Sequence, residues 1–210
     1  MKYENYRYLY PPRPKNAIPP SELRGYDNNI LLAQPKLDGS NCLIFTNGTE
    51  CHIMNRHYQR MSNFKISKSE IISTFKPNGK WIVLNGEYMN KSNRDERNEL
   101  FNHKFVLFDC LVIDNKYLVG KTFKQRVDII EKFTDIGSNI EHLDRLSENI
   151  YRVRTYNNGF TELFENLIKV DMMEGLVLKR KRARLETGYN ELNNTKTQIK
   201  CRKPTKNYHF

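Results

Sequence analysis

A chain of 210 residues with 38% hydrophobic content, 12 Tyr and 11 Phe can bury one real core and is short for two domains of ordinary length. That aromatic content excludes a disordered chain, and no apolar run approaches the ~20 residues of a membrane-spanning helix. With 35 Lys plus Arg against 24 Asp plus Glu, the net charge of +11 and pI near 9.4 point to a polyanionic partner and away from acidic binding tails.

The opening MKYENYRYLY lacks the apolar region of a signal peptide. Residues 11 to 20, PPRPKNAIPP, hold five prolines, which favour an extended surface segment over a helix or central strand, and residues 1 to 29 are expected to form such an arm. From Ile30 the order is apolar (ILLA), turn-like around Lys36 to Ser40, then apolar again (CLIF), which predicts strand, loop, strand with Lys36 at a strand end. Runs rich in β-branched and aromatic residues predict strands at 81 to 89 and 105 to 113. Helical spacing follows at 123 to 133, where Phe123, Val127, Ile130 and Phe133 share a stripe. It is clearer at 160 to 170, through Phe160, Leu163, Phe164, Leu167 and Ile168. A last strand is predicted at 174 to 180. Strands outnumber helices and do not alternate with them, so the reading is a single α+β domain over 1 to 210, with mainly antiparallel sheets flanked by helices.

Charge is uneven along this layout. Residues 179 to 210 contain ten basic residues against Glu186 and Glu191, the footprint of a protein that tracks a phosphate backbone. Cys42, Cys51, Cys110 and Cys201 form no C-x-x-C, and the five histidines show no metal-ligand spacing. No disulfide framework or structural metal is expected, and a cytoplasmic setting with reduced thiols is. The sequons at Asn47 and Asn193 mean nothing in that setting. Gly120, Lys121 and Thr122 imitate the end of a phosphate-binding P-loop, but Asn115 stands where that motif requires glycine.

Five short motifs carry the chemistry. Gln34 to Asn41 (QPKLDGSN) contains K-x-D-G. Leu84 to Met89 (LNGEYM) offers Glu87, and Phe105 to Leu111 (FVLFDCL) places Phe108 before Asp109. Glu174 to Lys179 (EGLVLK) and Ile199 to Arg202 (IKCR) complete the set. In this order, and from 34 to 202, they resemble motifs I, III, IIIa, IV and V of the lysine nucleotidyltransferase superfamily, the ATP-dependent polynucleotide ligases and capping enzymes.

The resemblance implies an ATP-grasp-like nucleotidyltransferase fold, ATP as substrate, and Mg²⁺ or Mn²⁺ as cofactor. It implies Lys36 as a nucleophile that becomes linked to AMP, Glu87 and Glu174 near the metal and ribose, and Phe108 stacked on adenine. Gln34 is placed at the adenine edge, with Lys179, Lys200 and Arg202 as cations around the triphosphate. The residue types suit the task. A free lysine has pKa ~10.4, so only about one in a thousand is a reactive amine near neutrality, and nearby cations, a metal and desolvation lower that barrier.

Asn41 stands where most DNA ligases and capping enzymes of this superfamily carry arginine (K-x-D-G-x-R). The run Gly39, Ser40, Asn41 is similar to the G-T-N of RNA ligases that seal nicks. Arg56 falls at their phosphate-binding arginine, and IKCRK resembles their motif V. Asp38 and Arg202 depart from that group, which has His and Lys there, and Arg presents a planar fork where Lys presents a point charge. RNA sealing is the favoured expectation, with DNA or mixed-strand sealing next. Weaker alternatives are a GTP-dependent capping guanylyltransferase and a non-catalytic binding protein on the same scaffold. Asn41, Arg180, Lys181, Arg182 and Arg184 are assigned to nucleic acid. The chain ends eight residues after Arg202, so neither an OB-fold domain nor a helical C-terminal domain is expected, and an accessory protein would take its place.

Overall fold

In the computed structural model, which describes residues 9–187 and 193–204, the elements follow in the order β1 (Arg13–Ile18), α1 (Leu23–Tyr26), β2 (Leu31–Leu37), β3 (Ser40–Thr46), β4 (Cys51–Asn55), α2 (Lys68–Phe75), β5 (Ile82–Met89) and β6 (Lys104–Ile113). After these come β7 (Lys116–Tyr117), α3 (Phe123–Ile130), β8 (Leu143–Arg145), β9 (Ile150–Val153), α4 (Phe160–Leu167), β10 (Met173–Arg180) and β11 (Asn194–Arg202). The strands form two sheets. One has the order β1-β11-β10-β2, the other β4-β3-β5-β6-β9-β8 with β7 on β6. Among the described residues only β1 with β11 and β6 with β9 pair parallel, so the mainly antiparallel α+β class read from the sequence is what is found.

Both sequence-predicted helices form and stop three residues early, at Ile130 and Leu167. Thr122 and Gln125 close a reciprocal capping box that fixes the start of α3. The apolar stripe of α4 buries Phe160, Leu163, Phe164 and Leu167 against β10 and its neighbours. Helix α2, capped by Ser67, had no clear signal because only Ile71 and Phe75 of its eight residues are buried.

The Pro-rich arm is extended over Arg13–Ile18, as its prolines suggest, and turns helical from Pro20. Its residues 1 to 8 lie outside the described residues. Residues 13 to 18 form an edge strand paired to β11, and a 3-10 turn at Pro20–Glu22 leads into α1. Prolines tolerate this position because an edge strand leaves half its backbone donors unused, and the register slips between Pro14 and Asn16.

A buried ion pair ties α3 to the second sheet. Arg126 Nε and Nη2 donate to Asp109 Oδ1 and Oδ2 at 2.8 and 2.9 Å, and both side chains are almost fully buried. Burial pushes the Asp109 carboxyl up, but the charge and hydrogen bonds of Arg126 outweigh it and hold Asp109 below the usual carboxylate range. Removing one partner strands a buried charge. Arg126→Ala is therefore expected to lower stability by about 3–5 kcal/mol in urea unfolding at neutral pH; a loss under ~1 kcal/mol would contradict the pair's anchoring role.

Candidate active site

Strands β2 and β3 are consecutive in the chain but belong to different sheets, so the turn at Asp38 and Gly39 carries the chain from one to the other. The crossing is tight. A Cβ on Gly39 would lie 2.6 Å from the Tyr88 carbonyl oxygen and 2.8 Å from Glu87 Cγ, closer than any side chain allows. Asp38 is pinned by Lys91 and by Asn93 Nδ2 at 3.1 Å, and its N–H donates to the Met172 carbonyl at 3.0 Å. The cleft between the sheets opens directly beside this turn.

Lys36, Gly175 and Arg202 are cross-strand neighbours in one row of the first sheet, and Gln34, Val177 and Lys200 form the next. Alternation turns these rows to the same face. Glu174 breaks the register: the β10–β2 pairing slips between Met173 and Gly175, and the extra residue is re-aimed at Lys36. Gly175 makes the bulge feasible, since its φ is +136° and a Cβ there would meet the Cys201 carbonyl at 2.2 Å. Lys36 Nζ pairs with Glu174 Oε2, and Arg202 Nε lies 3.4 Å from the same oxygen.

Phe108 is also presented by a bulge. Asn85 pairs with Asp109 and Gly86 with Leu107, which leaves Phe108 unopposed and half-buried at the cleft wall. Lys179 sits between rings, its Nζ 4.8 Å from the Phe108 centroid and 4.7 Å from that of Phe123. It donates to Gln34 Oε1 at 2.7 Å, while Gln34 Nε2 donates to the Phe108 carbonyl and Thr155 Oγ1, both at 3.2 Å. Burial lowers the Lys179 pKa to about 8, with Asp109 pulling it back up and Arg126 pushing it down.

Gln34 and Lys179 both line the cleft, bonded to each other and to its wall. β3 places Asn41 inside the cleft, where Nδ2 donates to Asn85 Oδ1 at 2.9 Å and to the Gly86 carbonyl at 3.2 Å. Its Oδ1 is buried with no hydrogen-bond partner among the described residues. Glu87, its cross-strand neighbour, faces the same space. Arg56, in the turn after β4, is exposed at the cleft's rim.

Of the other lining residues, Val177 and Asn85 belong to motifs already noted, whereas Arg13 and its flanking prolines come from the arm and carried no signal of a site. The cleft has a cavity volume of about 150 Å³ and opens to solvent at its mouth. Apolar walls at Phe108, Val177 and Pro35 beside Lys36 and Arg56 fit a base at one end and phosphates at the other.

Among the described residues no three His, Cys, Asp or Glu side chains are grouped to cage a metal. Mg²⁺ does not need a cage, because it keeps several waters and binds through one or two carboxylates plus substrate phosphates. Glu174 and Glu87, with hard oxygen donors beside Lys36, fit that demand. The basic segment rims a second hollow that shares Pro12, Lys179 and Gln198 with the cleft. Arg180, Arg182 and Arg184 are exposed there, while Lys181 is half-buried and bonded to Asn29. Glu191 and Lys206 of this segment lie outside the described residues.

A sequence profile described as the ATP dependent DNA ligase domain matches residues 16–198, and the chain belongs to that family. No curated protein sequence matches significantly. Among solved structures, a mycobacterial DNA ligase D complexed with ATP and MES is 15% identical, with a TM-score of 0.67 over 96% of this chain and 62% of that one. A Lig E DNA ligase, titled as DNA binding with a minimal scaffold, is 17% identical, with a TM-score of 0.52 over 85% and 65%. An archaeal ATP-dependent RNA ligase is 15% identical, with a TM-score of 0.51 over 91% and 48%. These likenesses concern the fold, and the chain spans under two thirds of each relative's length.

The Glu87 carboxyl is pushed up to about 7 by burial; Lys36 pulls it down, and Glu174 and Asp38 push it up again. The folded value lies above the ordinary ~4.3, so the protonated acid favours folding below that pH, and this contribution is lost as pH rises through about 7. Glu87→Gln is expected to remove about 1–3 kcal/mol of stability change between pH 5 and 8, measured by thermal unfolding at each pH. An unchanged pH dependence in the variant would place the titration elsewhere.

Proposed function

We propose that this chain is the nucleotidyltransferase module of an ATP-dependent polynucleotide ligase, in which Lys36 takes AMP from ATP and passes it to a 5′-phosphate end. The observation that carries the proposal is the position of Lys36: near the end of β2 in the cleft between the two sheets, paired with Glu174 and faced by Glu87.

The residues divide the work as follows. Phe108 and Val177 supply apolar surface for the base, and Gln34 and Lys179 hold that wall in place. Lys36 Nζ must lose a proton before it can attack, and Glu174 Oε2, already in contact with it, is the adjacent acceptor. Attack on the α-phosphorus forms an N–P bond, breaks the bond to the β-phosphate oxygen and releases pyrophosphate. Arg202 and Lys200 on β11, across β10 from Lys36, and Arg56 at the rim meet the charge that develops on the phosphate oxygens. A bound Mg²⁺ held by Glu174 and Glu87 would neutralise further phosphate charge. AMP then moves to a 5′-phosphate, and a 3′-hydroxyl displaces it to seal the strand. Arg180, Lys181, Arg182 and Arg184 grip the duplex backbone.

Membership of the ATP dependent DNA ligase family supports DNA as the strand sealed. The second reading, RNA, rests on Asn41. A neutral amide paired to Asn85 occupies the position where most DNA ligases of the superfamily have arginine.

The test is sealing of nicked duplexes with RNA or DNA on each side of the break, with ATP and Mg²⁺. Joining of at least one combination, abolished by Lys36→Ala, is the expected result; binding without joining in every combination would reject the ligase reading. Replacing Arg180, Lys181, Arg182 and Arg184 by Gln should flatten the slope of log affinity against log salt by ~0.9 for each phosphate no longer neutralised, up to about 3–4. An unchanged slope would remove this segment from the interface.

A further inference from the structure

The arm does more than edge a sheet. Leu9 is buried in the core of the second sheet, and the Tyr10 ring packs at a tilt against Tyr58 with centroids 5.8 Å apart. Further along the chain, Ile18 is buried in the other core cluster, beneath the first sheet. The chain between them therefore straps the two sheets together across the cleft mouth. Pro11, Pro12 and Pro14, all lining the cleft, fix the strap's φ angles and make it stiff. Arg13 is held between them by its own backbone N–H, which donates to the Asn193 carbonyl at 2.9 Å.

Arg13 and Arg56 line this same cleft with Lys36. Their guanidinium groups are close enough that the charge of Arg56 adds to burial in lowering the Arg13 pKa. Arg56 Nε donates to His57 Nε2 at 2.9 Å, and among the described residues neither arginine meets a carboxylate. Two like charges converging on a cleft, with the strap's stiffness preventing one from swinging away, form a site suited to a multiply charged anion. The Tyr10–Tyr58 contact joins the segments that carry them.

We propose that Arg13 of the strap is a further phosphate-binding residue, which joins Arg56 of the β4 turn in a two-guanidinium site at the mouth of the Lys36 cleft, a role that rests on the ligase reading for its biological source. The chemistry is that of a phosphate or pyrophosphate oxygen face gripped from two sides. Its source is either the β- and γ-phosphates of ATP or the 5′-phosphate of the nucleic acid, and the two arms of the test separate them.

In the first arm, calorimetric titration with pyrophosphate compares the unmodified protein with Arg13→Ala, Arg13→Lys, Arg56→Ala and the double alanine variant. In the second, binding to a nicked duplex with a 5′-phosphate is compared with binding to the same duplex ending in a 5′-hydroxyl. Arg13→Ala is expected to weaken one of these at least tenfold, Arg13→Lys to fall between, and the double variant to lose less than the product of the single losses, because the two arginines share one ligand. An effect confined to pyrophosphate assigns the site to ATP; one confined to the 5′-phosphate preference assigns it to the nucleic acid. If Arg13→Ala matches the unmodified protein in both arms, the proposal is overturned. Neither arm requires catalysis, so failure of the unmodified protein to seal nicks would count against the ligase reading alone. Among the described residues the Arg13 side chain makes no hydrogen bond, so loss of folding is not expected, and thermal unfolding of each variant checks this.

Discussion

The contact between Gly39 and the backbone of β5 governs the rest of the site. Because the Asp38–Gly39 turn passes within van der Waals limits of Tyr88 and Glu87, consecutive strands can leave one sheet and enter the other without opening a gap. Lys36 is thereby placed on one wall and Glu87 on the other, with the width of the turn between them. The turn is fixed from outside by Asn93, Lys91 and the Met172 carbonyl. A larger residue at 39 would push the walls apart, and the lysine would lose the acids it faces.

On that frame two local irregularities deliver the chemistry. One extra residue in β10 aims Glu174 at Lys36, and one in β6 leaves Phe108 free to face the cleft. Each sits beside a residue that the fold could not exchange. Gly175 adopts a conformation closed to other side chains, and Asp109 is locked to Arg126 in the interior. The wall is rigid because its polar groups satisfy one another, as in the chain from Lys179 through Gln34 to Thr155.

Much of this was legible in the sequence, and the parts that were not share a cause. The strands bearing Lys36, Glu87, Phe108 and Glu174 show as apolar runs because they are buried on both faces, and α3 and α4 show because their stripes repeat with helical spacing. Bulges leave no trace in such runs, so Phe108 and Glu174 could be named but not aimed. The bond between Gln34 and Lys179 joins positions 145 apart in the chain, and the tie of Asn41 to Asn85 crosses between strands, so no local pattern reports either. In the arm, proline content signals extension truthfully, yet the pairing of β1 with β11 spans nearly the whole chain, and nothing local reports that Arg13 lines the cleft together with Arg56.

The proposed reaction makes Lys36 the nucleophile. Incubation with ATP and Mg²⁺, followed by peptide mapping of the denatured protein by mass spectrometry, tests that directly. The expected product is one AMP joined through a phosphoramidate to Lys36, absent when GTP replaces ATP. AMP found on another residue, or no covalent AMP in protein that binds ATP, would contradict it.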